Sequence, residues 1–498
     1  MPRGAEAPRN RARARVSEAG KHHQSVRGAN PTVPRLLATV VTDPLFESAA
    51  ASALVAELVE FVAACRLDYA TILVAESESD CPPSVEGECA LGTDTAMDAE
   101  MASRKSTGTY VAAVPPHGAN IVDGMWIFRV KRPPGSPPAF QARYVARGFN
   151  QRQGVEFFQT FSSTPKMTTL RVLLHVAAHR DYELHSLNFS TPFLQGSLHE
   201  EIWLRRPPSF TGSFPGGTRW SLRRPVYGLC QAPREWLDTL RTKLAALGFA
   251  PSTTGPSLFL RTDTSLPPLY VIVYVDDLVF ATADTKALTL VKSELQKRHT
   301  CTDLGELRSY VGLQITPDRA WHTITLTHSH MVHHVLQRFG FRYSSPQPTP
   351  LPTGHLLSAP PSDESIEPSD VYPELVGCLI VLRYLCCTSG MKLVLGGRGP
   401  AVLTGHADAS WVDDYATQRS SQGYTFSLGS GSVSWRSTHS SSVLSSSCEA
   451  EIYAGAMAAQ ELRWLAYLLD DLGEQTRSSS VLYVDNKAMI ALFQEHRL

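Results

Sequence analysis

The chain has 498 residues, which is long enough for two or three domains that each bury a core. Apolar residues make up 43% of it and charged residues 19%. These values are typical of globular proteins and exclude a disordered or fibrous protein. The formal net charge of −1 predicts neither a nucleic-acid nor a membrane partner, and nine cysteines without a CxxC pair argue against a cysteine zinc site.

The N-terminal region is basic and carries no catalytic motif. Its first 36 residues hold eight Lys or Arg against two Glu, which is more typical of a disordered arm than of an organellar transit peptide. An amphipathic helix is predicted for AASALVAELVEFVAAC, which is too short and too charged to span a membrane. We therefore expect residues 1–105 to form a divergent, partly disordered region.

Strands dominate the next segment. The pattern VDGMWIFRVKR, a Pro- and Gly-rich turn and the pattern FQARYVARGF together predict a β-hairpin. Six basic and no acidic residues lie between residues 126 and 155, and five basic and no acidic residues lie between 203 and 225. Such patches in a neutral chain suit a polyanion held in a groove, although two solvated faces explain them equally well.

Helices and a central strand follow. TTLRVLLHVAAHR and QAPREWLDTLRTKLAALGF have helical periodicity, and Gly248 suits the end of the second helix. The strand YVIVYVDD is apolar on both faces and is predicted to be central in a sheet. Residues 346–400 are predicted to be a Pro- and Ser-rich linker and a shortened connection, before a C-terminal block of strands and one long helix.

Two adjacent carboxylates, Asp276 and Asp277, interrupt the apolar run LYVIVYVDDLVFAT. Burying an unpaired carboxylate costs several kcal/mol, so a cation or a turn is expected beside them. Polymerases hold divalent cations about 3.5–4 Å apart on such carboxylates, but Asp-Asp is also ordinary turn chemistry. Taken alone, these residues slightly favour the turn.

Longer motifs carry a resemblance to a known family. FQARYVARGFNQRQGVEFFQTF, HSLNFSTPFLQGSLHEEIWLRRPPSF, VYGLCQAPREW and CTDLGELRSYVGLQI resemble the Ty1/copia-type retrotransposon reverse transcriptase in order and spacing. LTGHADASWVDD, SWRSTHSSSVLSSSCEAEIYAGA and VLYVDNKAMIAL resemble the ribonuclease H domain of the same Pol polyprotein. The resemblance implies an α+β fold, with reverse-transcriptase fingers and palm over residues 106–345 and an α/β ribonuclease H-like domain over residues 401–498.

The resemblance also assigns roles in the palm. It implies that Asp276 and Asp277 are metal ligands and that Phe193 is the aromatic gate that disfavours a 2′-hydroxyl. The family has a third metal carboxylate where this sequence has Asn188, whose amide removes one negative charge. The nearby acid Glu183 is five residues upstream, roughly 16 Å away at the usual rise of a strand, so it cannot substitute. We therefore expect impaired polymerisation.

Nucleotide and template contacts are implied in the same way. The basic hairpin around Arg143 and Arg147 resembles the fingers, which approach the nucleoside triphosphate and the template. Gly228, Gln231 and Pro233 fall in the motif that supports the template.

Three acids of the C-terminal block are candidate nuclease ligands. Asp408 closes a strand, Glu449 lies in the first turn of the long helix, and Asp485 ends a later strand. Three carboxylates that converge from element ends are typical of a two-metal nuclease, whereas each one alone is more typical of a capping or turn residue. The family continues beyond Leu498, and it has a few dozen more residues between ELVGCL and VLRYL, so both segments are expected to be shortened.

The sequence therefore predicts an RNA-directed DNA polymerase with a ribonuclease H domain, in a degenerate copy. The resemblance implies two Mg²⁺ per active site, an RNA template, a DNA primer or RNA–DNA hybrid, and deoxynucleoside triphosphates. No membrane partner is expected, other Pol or Gag products are further candidate partners, and the location is cytoplasmic, within a virus-like particle, or nuclear. The alternative is a non-catalytic nucleic-acid-binding relic or co-opted protein, which would bind in EDTA with a steep salt dependence.

Overall fold

A computed structural model describes residues 86–131, 139–207, 217–338, 381–414, 417–474 and 480–495. The helix predicted in AASALVAELVEFVAAC and most of the Pro- and Ser-rich linker lie outside these ranges. Helices and strands alternate through the described chain, which confirms the predicted α+β class. No described helix is both long and apolar enough to cross a membrane.

The helices are numbered in chain order. They are α1 (Glu86–Ser106), α2 (Met167–His179), α3 (Ala232–Ala246), α4 (Thr285–Arg298), α5 (Ser329–Arg338), α6 (Ser447–Asp471) and α7 (Lys487–Glu495). Residues 381–388 are also helical and pack against α5 through a small apolar cluster that includes Leu336 and Leu385.

The strands are numbered separately. They are β1 (Tyr110–Ala113), β2 (Ile121–Val122), β3 (Gly124–Lys131), β4 (Ala139–Ala146), β5 (Glu183–Phe189), β6 (Trp203–Leu204), β7 (Arg219–Leu222), β8 (Phe249–Pro251), β9 (Leu258–Arg261), β10 (Leu269–Tyr274), β11 (Asp277–Thr282), β12 (Cys301–Glu306), β13 (Ser309–Tyr310), β14 (Leu313–Asp318), β15 (Thr323–Thr327), β16 (Leu393–Gly396), β17 (Leu403–Asp414), β18 (Arg419–Leu428), β19 (Gly431–His439) and β20 (Val481–Tyr483). Two of their sheets carry the candidate sites.

The first of these sheets has six strands in the order β12-β5-β11-β10-β9-β8. Strand β10 is central, as predicted, because successive side chains enter two different cores. Tyr270 and Ile272 pack into the core that contains α2, whereas Val271 and Val273 pack into the core that contains α3 and α4. The all-apolar composition of the strand follows from this burial on both faces.

The second sheet has four strands in the order β19-β18-β17-β20, with β17 and β20 parallel and the other neighbours antiparallel. Helix α6 lies across this sheet. Its side chains Leu465, Leu468 and Leu469 belong to the same apolar core as α2 and one face of β10. The C-terminal block therefore packs directly against the first sheet.

Helix α1 packs against the hairpin formed by β3 and β4. Arg104 is fully buried and forms an ion pair with Glu100 at 2.8 Å, and its guanidinium also donates a hydrogen bond to the backbone oxygen of Tyr144 in β4. A buried Arg needs such partners, because an unpaired buried charge is costly. The domain boundary predicted at residue 105 falls inside this helix, whose packing joins residues 86–106 to the hairpin.

Replacing Arg104 with Met tests whether α1 is part of the fold. The substitution leaves Glu100 buried without its partner, so we expect the free energy of unfolding to fall by about 3–5 kcal/mol, measured by urea denaturation. Lys105→Met is the matched control, because Lys105 is exposed in the same helix. It should change stability by less than about 0.5 kcal/mol, and equal losses in both variants would contradict the packing.

Candidate functional site

The first candidate site lies at the turn between β10 and β11. The register pairs Tyr274 with Asp277, which leaves Val275 and Asp276 as a two-residue hairpin loop. Val275 has a φ of 52°, a left-handed conformation that is strained for a β-branched residue. The turn is held from two sides, because Trp236 donates to the backbone oxygen of Val275 at 2.5 Å and Phe189 N–H donates to that of Asp276 at 2.8 Å.

Asn188 lies directly beside Asp277, because β5 pairs with β11 in that register. Its amide Nδ2 donates to Oδ1 of Asp277 at 2.6 Å. An ionised carboxylate only accepts hydrogen bonds, so the nitrogen of the amide must face it. Burial raises the pKa of Asp277, the hydrogen bond from Asn188 opposes that rise, and the charge of Asp276 adds to it.

No other acid of β5 replaces the missing carboxylate. Glu183 lies at the far end of the strand, opposite Thr282, and forms an ion pair with Arg319 at 2.6 Å. Asp181 is held by the same Arg319 at 2.8 Å. Two carboxylates and a donating amide do not fit a site in which three carboxylates share two divalent cations.

Tyr227 brings two of the predicted residues together. The guanidinium of Arg143 lies 4.4 Å from the centre of its ring, and the ring of Phe193 meets it edge-on at 4.8 Å. The pKa of Tyr227 is raised to about 12, mainly by burial, which the charge of Arg143 opposes and that of Asp276 reinforces. The sequence analysis did not select Tyr227, although its place directly before Gly228 in VYGLCQAPREW was the available signal.

Gly228 allows the β3–β4 hairpin to approach this ring. Its φ is 89°, and a Cβ there would lie 2.0 Å from the backbone oxygen of Ala146. The same approach lets Ala146 N–H donate to the oxygen of Tyr227 at 2.8 Å. Arg147 follows directly and its side chain is exposed.

Gln231 and Pro233 hold a neighbouring segment in place. The fully buried Gln231 donates to the backbone oxygen of Glu156 at 2.8 Å and accepts from Gln151 at 3.1 Å. Pro233 lies in the first turn of α3, and its backbone oxygen accepts a hydrogen bond from Ser162 at 3.3 Å. The contacts described for both residues are structural, and their predicted template contact stays a prediction.

The second candidate site lies on the four-stranded sheet. The parallel register pairs His406 of β17 with Tyr483 of β20, so two residues later Asp408 and Asp485 come side by side. Glu451 of α6 completes the group, and one oxygen from each of the three carboxylates lies within 4.8 Å of the others. Among the described His, Cys, Asp and Glu side chains, these three lie close enough together to bind one metal ion.

The electrostatics of this group suit a cation. Glu451 is buried, and burial, together with the charges of Asp408 and Asp485, raises its pKa to about 7. One of its oxygens accepts from the N–H of Ala409 at 3.3 Å, whereas the other is buried without a hydrogen-bond partner in the described chain. Burial and the charge of Asp485 also raise the pKa of Asp408. A divalent cation would satisfy the orphaned oxygen and offset the repulsion.

The prediction that Glu449 belongs to this group is wrong. Its carboxylate accepts hydrogen bonds from the N–H and the hydroxyl of Ser445 at 2.7 and 2.6 Å, while its own N–H donates to the hydroxyl of Ser446. These bonds resemble a capping box at the start of α6, with the N–H of Ser445 in the place of that of the N-cap residue Ser446. Residues two apart on a helix point about 200° away from each other, so only Glu451 can face the sheet.

The segment that contains the first candidate site is similar to a known protein family. Residues 108–353 match the family model described as reverse transcriptase (RNA-dependent DNA polymerase). This match places residues 108–353 of the chain in the reverse transcriptase family. The match includes Asn188, Asp276 and Asp277, and it confirms the predicted resemblance at the level of the family.

The relatives that match over most of the chain are transposon proteins. The Retrovirus-related Pol polyprotein from transposon TNT 1-94 of Nicotiana tabacum is 29% identical over 80% of this chain and 33% of its own length. That from transposon RE2 of Arabidopsis thaliana is 30% identical over 84% of this chain and 31% of its own length. The chain thus spans about a third of the length of these two relatives.

A solved structure of the foamy viral protease-reverse transcriptase in complex with RNA/DNA hybrid is also similar to this chain. It is 12% identical and covers 81% of this chain and 50% of its own, with a TM-score of 0.43. A similarity this low supports no conclusion about how this chain binds nucleic acid.

The raised pKa of Glu451 predicts a pH dependence of stability. The unfolded chain releases this proton near pH 4.5 and the folded chain near pH 7, so the folded state binds more protons in between. In EDTA, the free energy of unfolding should therefore fall by about 2 kcal/mol as the pH rises from 5 to 8.

Urea denaturation at a series of pH values measures this dependence. Glu451→Gln should remove most of the slope, because an amide does not titrate. The capping variant Glu449→Gln should keep it. A slope that is the same in both variants would contradict the assignment to Glu451.

Proposed function

We propose that the chain is the reverse transcriptase and ribonuclease H region of a Ty1/copia-type retrotransposon Pol polyprotein, with three converging carboxylates in its nuclease site and an impaired polymerase site. The observation that carries the proposal is the difference between the two carboxylate groups. Asp408, Glu451 and Asp485 converge with one oxygen left without a partner, whereas Asp277 is already bonded to the amide of Asn188.

The nuclease reaction proposed is hydrolysis of the RNA strand of an RNA–DNA hybrid. Divalent cations such as Mg²⁺, when bound, would generate the attacking hydroxide and stabilise the leaving oxygen. Asp408, Glu451 and Asp485 would hold them. The N–H of Ala409 holds one oxygen of the Glu451 carboxylate, which leaves the other oxygen for a cation. The capping box at Glu449 anchors the start of the helix that carries Glu451.

The polymerase site proposed is the one at Asp276 and Asp277, with an RNA template, a DNA primer and deoxynucleoside triphosphates as substrates. Tyr227, fixed between Arg143 and Phe193, would form the floor on which the incoming nucleotide lies. The exposed side chains of Arg143 and Arg147 supply positive charge for phosphates. Asn188 deprives this site of its third carboxylate, so we propose that the copy polymerises poorly.

The cellular location and the protein partners are proposed from the family resemblance. A Pol product of this type would work in the cytoplasm within a virus-like particle, or in the nucleus, alongside other Pol and Gag products. A relic that only binds nucleic acid is the second candidate function, and the hydrogen bond from Asn188 to Asp277 favours it for the polymerase half.

Cleavage of a labelled RNA–DNA hybrid tests the nuclease proposal. The unmodified chain should cut the RNA strand in Mg²⁺, and Glu451→Gln should lower the rate at least about 100-fold, because it removes a ligand charge. Glu449→Gln, two residues away, should keep the rate within about threefold, since it only weakens a helix cap. No cleavage by the unmodified chain, or an equal loss in both variants, would exclude the proposed site.

Asn188→Asp tests the polymerase proposal. In EDTA the third carboxylate should repel Asp277 and lower the free energy of unfolding by about 1–3 kcal/mol. Mg²⁺ should restore that stability in the variant and should have little effect at this site in the unmodified chain. Primer extension on an RNA template should be undetectable for the unmodified chain and measurable for the variant.

Thermal denaturation with and without Mg²⁺ gives the first result, and gel-resolved primer extension gives the second. Extension at equal rates by both proteins would show that Asn188 does not impair the site. Extension by neither, together with Mg²⁺-insensitive stability, would leave nucleic-acid binding as the remaining function of the palm.

A further inference from the structure

The C-terminal end of α6 is bonded to the palm through Asp471. This carboxylate accepts hydrogen bonds from the hydroxyls of Ser252, Thr253 and Thr254 and from the N–H of Thr254, at 2.9 Å for the Thr254 hydroxyl and 3.3 Å for its N–H. A negative side chain in the last turn of a helix opposes the helix dipole. The four donors compensate for that position, so Asp471 serves the contact with the palm rather than the stability of its own helix.

Trp464 reinforces the same contact two turns earlier in α6. Its indole N–H donates to the backbone oxygen of Thr254 at 3.1 Å, and the ammonium of Lys166 lies 4.0 Å from the centre of its ring. Residues seven apart share one face of a helix. One face of α6 therefore binds both the N–H and the carbonyl oxygen of Thr254, which lies in the turn between β8 and β9.

The other end of this turn is bonded to the strand that leads to the catalytic carboxylates. Ser257 is buried, and its backbone oxygen accepts a hydrogen bond from Val273 N–H of β10 at 2.9 Å. The turn is closed by a bond from Ser252 N–H to the oxygen of Leu258 at 2.7 Å. A displacement of residues 252–254 would thus be passed to Val273, three residues before Asp276.

Strand β10 also meets α6 directly. The hydroxyl of Tyr270 donates to the backbone oxygen of Leu472 at 2.6 Å, just after the last residue of α6. Carbonyl groups at helix ends lack intrahelical partners, so this bond satisfies one of them. The strand is consequently tied to the end of α6 at Tyr270 and, through the turn, at Val273.

We propose that Asp471 and Trp464, on the helix of the ribonuclease H-like domain, are positioning residues of the polymerase site. They hold the 252–257 turn, and the turn holds β10 and the Asp276–Asp277 hairpin in register. The reaction positioned is the one assigned under the proposed function, on which this inference rests. Docking of the nuclease domain then sets the geometry of the polymerase carboxylates.

Hydrogen exchange measured by mass spectrometry on the full chain tests this link. Asp471→Asn keeps the size of the side chain but removes an acceptor, so amides of the 252–258 turn and of β10 up to Val273 should exchange at least about tenfold faster. Asp470→Asn is the matched control, because the neighbouring Asp470 is exposed and carries the same charge. It should leave both segments unchanged.

Primer extension in the Asn188→Asp background measures an effect on catalysis that a purely structural role of Asp471 would not produce. Adding Asp471→Asn should lower kcat about tenfold and leave KM for the nucleotide within about twofold. The reason is that Asp276 and Asp277 shift while Tyr227, on which the nucleotide is proposed to lie, stays in place. Adding Asp471→Glu, which keeps the acceptor charge, should recover at least part of kcat. Adding Asp470→Asn should change neither constant.

The outcomes separate the two proposals. Faster exchange confined to α6, or a uniform increase across the whole protein, would overturn the positioning role, as would an unchanged kcat. If the Asn188→Asp protein itself does not extend a primer, the proposed polymerase function fails. The exchange pattern then still decides whether the end of α6 supports the hairpin.

Discussion

Burial of β10 on both of its faces is the constraint on which the rest of the structure depends. Tyr270 and Ile272 enter one core and Val271 and Val273 enter the other, so the strand is buried from Leu269 to Val273. Polar groups can appear only where the strand ends, at the turn that carries the carboxylates. The strained turn is tolerated because Trp236 and β5 hold its backbone oxygens.

The two acidic groups solve the problem of close carboxylates in different ways. At the turn between β10 and β11, a neutral amide from Asn188 supplies a hydrogen bond to Asp277, which lowers the need for a cation. In the C-terminal sheet, the second oxygen of Glu451 has no such donor among the described residues, and burial and the neighbouring acids raise the pKa of Glu451. Chemistry that depends on cations is therefore better supported in the second group than in the first.

Prediction from the sequence was accurate where a pattern is local. The alternation in β10 predicted a central strand, and the motifs around it predicted the reverse transcriptase family, which the comparison confirms. Prediction was wrong where a choice depends on the direction of a side chain. Glu449 and Glu451 are equally acidic and both lie near the start of α6, but Ser445 captures the first and the sheet faces the second.

The sequence by itself determined which chemistry-bearing residues are present, the loss of a carboxylate at Asn188 and the order of the elements, because composition and periodicity are properties of neighbouring residues. Only the tertiary structure decided that Tyr227 contacts both Arg143 and Phe193, that α1 packs on the β3–β4 hairpin and that Asp471 accepts hydrogen bonds from residues 252–254. These contacts join residues that are 34 to 219 positions apart, and no local pattern encodes which distant surfaces meet when apolar faces are buried.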